Sequence, residues 1–284
     1  MLSGFVLLLS CSGTGDYLTV IGDMDKNEVS GIEYITESST LWAVEDSGNK
    51  NKIYRIDDKG KATDAVELDD TENEDWEDIT SDREGNLYIG DFGNNSNKRE
   101  DLAIYKVSAG ELDGDKAEVD YKISFYYPEQ SKFPPKKSKL IYDAEAFFEH
   151  GGNFYLFTKN RSARFDGSFA VYKIPNKPGR HEAQLIASLQ SCKTYRKCAI
   201  TAADVSPDGT TAVLLSGDKI WLIEDFATKG FTQDNLKPYS LDHYSQKEGV
   251  CFKDNNTLYI ADEKHKRSGG MLYKVKISDL KAKL

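Results

Sequence analysis

The chain has 284 residues, 37 of them Lys or Arg and 47 Asp or Glu, for a net charge of −10 at neutral pH. Hydrophobic residues make up 39% and aromatics 11%, enough for a sizeable core, so wholesale disorder is excluded. An acidic chain is a poor partner for a phosphate backbone, which argues against nucleic acid; no apolar run reaches the ~18 residues of a membrane span, and four cysteines are too few for a disulfide scaffold.

In chain order the first feature is the apolar run Leu2 to Leu9, followed by Ser10, Cys11 and the small polar stretch Ser12-Gly13-Thr14-Gly15. Leu8-Leu9-Ser10-Cys11 resembles a bacterial lipobox. The resemblance implies that residues 1–11 are a signal segment and that Cys11 is acylated as the mature N-terminus. The protein would then be exported and touch a membrane only through its lipid anchor. No Lys or Arg precedes the run, a departure from that pattern; the other reading is a buried N-terminal strand.

From Ser30 onward one unit recurs: a short inner strand opening on acidic or small residues, a turn, a Leu-Tyr-Ile-type strand, a polar loop and a strand of the Ile-Tyr-Lys-Val type. The inner strands begin at Ser30, Glu77, Glu145, Ala203 and Glu248, at unequal intervals of about 45 to 70 residues, the repeat length of propeller blades. Turn residues separate first and second strands at Glu84-Gly85-Asn86, Gly151-Gly152-Asn153, Pro207-Asp208-Gly209 and Asp254-Asn255-Asn256. Outer strands are available at Ala65 to Leu68, Ala117 to Tyr127, Gln184 to Leu189 and Lys237 to Leu241. The fifth unit has none of its own, and Tyr17 to Ile21 can supply it from the other terminus, closing the ring and removing an edge. The expectation is all-β: residues 12–284 as one β-propeller of five four-stranded antiparallel blades. A sixth blade would need a degenerate unit between Val107 and Tyr142. Helical periodicity is scarce, with only Ser278 to Leu284 able to form a turn of helix.

The stretches Asp75-Trp76-Glu77-Asp78-Ile79, Leu87 to Asn95 with Arg99, Glu45 to Asn49, Asp143-Ala144-Glu145-Ala146, Thr158 to Arg161 and Ala203 to Gly209 resemble secreted β-propeller proteins of Bacteroidota. More distantly the chain is similar to calcium-binding propellers: the gluconolactonase type, the esterase-like phytase set and the SdiA-regulated set. Members of the close group mostly lack an assigned activity, and fold analogy alone carries no function.

A propeller directs the starts of its inner strands to one mouth of an axial channel. One column there holds Ser30, Glu77, Glu145, Ala203 and Glu248; the next holds Gly31, Asp78, Ala146, Asp204 and Gly249. Four of five units thus aim a carboxylate at the axis, where crowded like charges repel unless compensated. Ca²⁺ on Glu77, Glu145, Asp204 and Glu248 would compensate them, since it takes carboxylate and carbonyl oxygens in flexible geometry. A polar or anionic ligand would meet Lys159, Arg161, Asp91, Asn94 and Glu263. The competing reading has the same acids capping strand ends and pairing with Lys159 or Arg161. Partners of the expected kind are a small polar molecule, a glycan or a protein, bound by a monomer. The alternative activity is calcium-dependent hydrolysis of an ester, lactone or phosphoester.

The remaining motifs are weaker. Cys192 and Cys198 bracket a short loop and can pair in an oxidising compartment, while Cys251 reads as a buried hydrophobe. Seven of the ten residues from Asp69 to Asp78 are acidic, most of them on a solvated loop. Pro134-Pro135-Lys136-Lys137-Ser138-Lys139 is a basic loop. No Gly-x-Ser-x-Gly, Walker or His-Glu-x-x-His motif occurs. The third-strand tyrosines, Trp42 and Trp221 read as packing between blades; stacking on a carbohydrate would need rings exposed at a mouth.

Overall fold

The computed structural model describes residues 17–266 and 268–283; residues 1–11, expected as a signal segment, and Cys11 with them lie outside the described residues. Five sheets, antiparallel but for one added parallel strand in each of two, radiate from a ring of five inner strands: Val29–Ile35, Trp76–Ser81, Asp143–Glu149, Ala202–Val205 and Lys247–Asp254. Each inner strand packs beside the next, and the last packs beside the first. These strands are flanked on both faces and mostly buried, and their apolar residues are interrupted by acids, glycines and a few other polar residues such as Ser30, Thr80 and Lys247.

The second and third strands match the sequence expectation closely; Leu87–Asp91 and Ala103–Val107 fall on it residue for residue. The blades pack through five hydrophobic clusters, one at each blade–blade interface. Trp42, Trp221, Tyr54, Tyr172 and Tyr273 all lie in those clusters and pack between blades, whereas the third-strand Tyr105 lies in none of them and lines an outer groove with Asp91; Cys251 is buried in the cluster between blades 5 and 1. The turn between the first two strands of blade 2 needs Gly85 at φ +79°, a conformation that side chains resist.

Thr19–Asp23 pairs with Met271–Lys276, with Thr19 opposite Lys274 and Asp23 opposite Met271, so the N-terminal strand completes the last blade. The excursion between Val107 and Tyr142 holds no sixth blade. It supplies the outer strand of blade 2, Tyr121–Tyr126, and a two-residue strand, Lys116–Ala117, that pairs in parallel with Ala62–Leu68 at the outer edge of blade 1. Blade 3 repeats the device, adding Gly179–Glu182 in parallel to Tyr121–Tyr126.

Candidate metal and ligand site

Pairing along the inner strands explains which acids converge. In blade 1 the register skips from Val29 to Gly31, in blade 2 from Trp76 to Asp78, in blade 3 from Ala144 to Ala146 and in blade 5 from Lys247 to Gly249. Ser30, Glu77, Glu145 and Glu248 are therefore each the extra, unpaired residue of a β-bulge, and a bulge re-aims its side chain. Blade 4 pairs Ala202, Ala203 and Asp204 without interruption. It contributes neither a bulge nor an acid.

The bulged residues open on a central pocket of about 200 Å³, lined also by Glu28, Asp46, Asn95, Lys159, Arg161, Gln246 and Glu263. Glu77, Glu145 and Glu248 thus meet Lys159, Arg161 and Glu263 there, as the sequence led us to expect. Three assignments need correction. Asp204 belongs to the second column, and its carboxylate accepts the backbone N–H groups of Val205 and Phe252 at 2.6 and 2.7 Å. It lines a cavity at the opposite end of the channel, beside Glu33, Ser81 and His150. Asp91 pairs with Arg99 at 2.9 Å and lines a groove outside the pocket. Asn94 is buried, accepting the Arg99 N–H at 2.9 Å and donating its own N–H to Asp143 at 2.8 Å; its neighbour Asn95 is the one that reaches the pocket.

The acids fall into two groups. On the blade 3 side Glu145 is paired with both Lys159 and Arg161, and Arg161 donates to Asp143 at 2.6 Å and to the Tyr195 hydroxyl at 3.0 Å. Burial raises the Asp143 carboxyl to about 6 even against the pull of Arg161. Burial alone would depress the Lys159 ammonium, but Glu145 and Glu248 hold it above its usual range.

On the blade 1–2 side stand Asp46, Asp75 and Glu77, with one oxygen of each within 4.8 Å of the others. Among the described residues none of the three forms an ion pair. Glu77 is 7% exposed, and burial and the charges of Glu145, Asp143, Asp46 and Asp75 push its carboxyl well above the usual range. Among the described residues no hydrogen bond offsets that cost. Asp75 rises to about 7, by burial and then by Asp46. Glu248, between the central pocket and its neighbour, rises to about 8, chiefly through burial. The Ser30 hydroxyl is buried in the same pocket with no hydrogen-bond partner among the described residues. Gly93 closes one side of the triad: a Cβ there would lie 2.2 Å from Glu77 Oε1 and 2.4 Å from the Asp75 carboxyl carbon, so a side chain would fill the cradle.

Asp75 escaped the sequence reading because it sits in the acidic run before blade 2 and lies outside the repeat columns. Its spacing of two from Glu77 was the available signal.

The chemistry fits a hard cation. Three carboxylates supply oxygens only, and Ca²⁺ with bonds of about 2.3–2.6 Å can bridge oxygens this far apart. Beyond the triad the mouth widens between blades 3, 4 and 5 into a cavity of about 660 Å³ that shares Lys159, Arg161, Gln246, Glu248 and Glu263 with the central pocket. Its far wall carries Tyr195 and Arg196, on the loop closed by the disulfide Cys192–Cys198, and Tyr244 to Lys247 of blade 5.

Fold and mouth define a five-bladed β-propeller with an acidic central site. Residues 16–126, which cover the closing strand and the first two blades, match the family described as SdiA-regulated, so the likeness read from the sequence holds over that stretch. No curated protein matches the chain. Among solved structures, the PQQ-bound aldose sugar dehydrogenase from Streptomyces coelicolor is 10% identical over 91% of this chain and 97% of that one, with a TM-score of 0.55, and shows the fold alone. The crystal structure of a nidogen/laminin complex is similar at 13% identity over 83% of this chain and 72% of that one, with a TM-score of 0.47.

Proposed function

We propose that the protein is an exported, lipid-anchored binding module that holds a divalent cation, Ca²⁺ by its ligand chemistry, on Asp46, Asp75 and Glu77. A polar, anionic ligand would bind in the adjoining cavity. The observation that carries this reading is Glu77: a buried carboxylate with no hydrogen bond or ion pair among the described residues, surrounded by other acids, beside two further carboxylates. Such a cluster is costly without a counter-charge.

Thermal unfolding in EDTA and in excess CaCl₂ tests it. At calcium about 100 times Kd, the linkage stabilisation of about 2.7 kcal/mol should raise the melting temperature by roughly 5–10 °C. Asp75→Asn combined with Glu77→Gln should remove the calcium response while leaving a folded protein. A wild-type melting temperature that calcium does not move would overturn the metal reading.

One observation favours a catalytic variant of the same site. Glu248, whose carboxyl burial lifts to about 8, stands where the two cavities meet, as a general acid would. Hydrolysis of a lactone or phosphoester that Glu248→Gln abolishes, with the calcium response intact, would establish it.

A further inference from the structure

The larger cavity has an unusual wall. Small-molecule pockets are mostly apolar. Here Ala199 is the sole aliphatic side chain; apart from it and two glycines, every lining residue carries a hydrogen-bonding group. Glu248 and Glu263 are acceptors that reward hydroxyl donors, whereas a phosphate or a nucleotide headgroup would offer them mainly further acceptors; Asp262 is fully buried and already accepts from Met271 N–H and the Tyr273 hydroxyl.

Two features add specificity. Tyr244 is 51% exposed and lines the cavity with an aromatic ring, unlike the tyrosines buried between blades. It rests against Gly217, where a Cβ would come within 2.9 Å of the ring and 2.3 Å of the Arg196 carbonyl oxygen, so Tyr244 and Arg196 are neighbours across that glycine. Arg196 is exposed and pairs with no acid among the described residues, in contrast to Lys159 and Arg161. The basic loop reaches the same rim: Arg161 N–H donates to the Leu140 carbonyl at 2.8 Å and Ala163 N–H to the Lys137 carbonyl at 3.0 Å, which holds the exposed Lys136, Lys137 and Lys139 beside the mouth.

We propose that this cavity binds an acidic saccharide, with the apolar face of a sugar ring on Tyr244, hydroxyls on Glu248 and Glu263, and a carboxylate on Arg196. Further carboxylates of an oligosaccharide would run toward the lysine loop. The aromatic face supplies apolar contact to ring C–H groups, and the guanidinium fork matches a carboxylate. The inference rests on the reading of the mouth as a ligand site.

Calorimetric titration with a trisaccharide of glucuronic acid, the corresponding glucose trisaccharide and inorganic phosphate tests it, each in CaCl₂ and in EDTA. The uronate should bind, the neutral sugar at least tenfold more weakly, and phosphate not measurably. Tyr244→Ala and Arg196→Gln, both surface changes away from the triad, should each weaken uronate binding about tenfold or more while keeping the calcium shift in melting temperature. No uronate binding in calcium, equal binding of phosphate, or undiminished binding in both variants would overturn the inference. A calcium shift without uronate binding sinks this inference and spares the metal reading; uronate binding with no calcium shift does the reverse.

Discussion

Glu77, Asp75 and Glu248 are carboxyls whose folded state favours the proton, and the pH dependence follows from that sign. Unfolded, they titrate near the ordinary range of about 4; folded, Asp75 stands at about 7, Glu248 at about 8 and Glu77 well above its usual value. Between those limits the folded protein binds more protons than the unfolded chain, so stability falls as pH rises. We therefore expect the protein in EDTA to be more stable at pH 5 than at pH 8. Saturating calcium should flatten the slope, because the metal takes the place of the protons. Asp204, lifted to about 7 at the other end of the channel, should leave a residual slope that calcium does not touch. Urea midpoints at the two pH values with and without calcium check this; a midpoint that climbs from pH 5 to pH 8 in EDTA contradicts it.

At the scale of elements, the bulges separate what could be read in the sequence from what could not. Alternation and turn residues marked nearly every strand, and the column Ser30, Glu77, Glu145, Glu248 came from aligning them. Whether a strand pairs regularly or carries an extra residue depends on its partner, and that is invisible in Asp143-Ala144-Glu145-Ala146 alone. For the same reason Asp204, one place further along and in a strand without a bulge, joined the acid set wrongly. Asp75 was missed because a loop folding back to the mouth leaves no periodic mark. The Cys192–Cys198 pairing, by contrast, was legible from spacing and is present. It closes a seven-residue loop whose Tyr195 hydroxyl meets Arg161 at 3.0 Å. Replacing both cysteines by serine should cost about 2 kcal/mol on the loop-entropy account, read as a lower urea midpoint at unchanged slope. An unchanged midpoint would show that the loop holds itself.

For the molecule as a whole, closure by Thr19–Asp23 is the feature most clearly foreseen, because the fifth unit lacked an outer strand and the N-terminal segment had no other place. That strand covers Met271–Lys276 and packs Leu18 into the cluster between blades 4 and 5. Deleting residues 17–23 should lower the melting temperature by several degrees and promote association through the bared edge. Light scattering and thermal unfolding of the deletion variant measure both, and a monomer with unchanged melting would contradict the expectation.

The short parallel strands have a mechanical consequence. Lys116–Ala117 ties blade 2 to blade 1, and Gly179–Glu182 ties blade 3 to blade 2, whereas among the described residues no such lacing joins blade 4 to blade 3 or blade 5 to blade 4. Asp46, Asp75, Glu77, Glu145, Lys159 and Arg161 all project from the laced arc, so backbone bonds fix the spacing between opposed charges. Much of the wider cavity belongs to the unlaced arc, where side-chain bonds, such as Thr201 Oγ1 to the Lys247 carbonyl at 2.6 Å and Phe252 N–H to Asp204 at 2.7 Å, join the blades in place of a parallel strand. The two halves of the mouth are thus seamed differently, backbone to backbone around the anchor point and through side chains around the wider cavity.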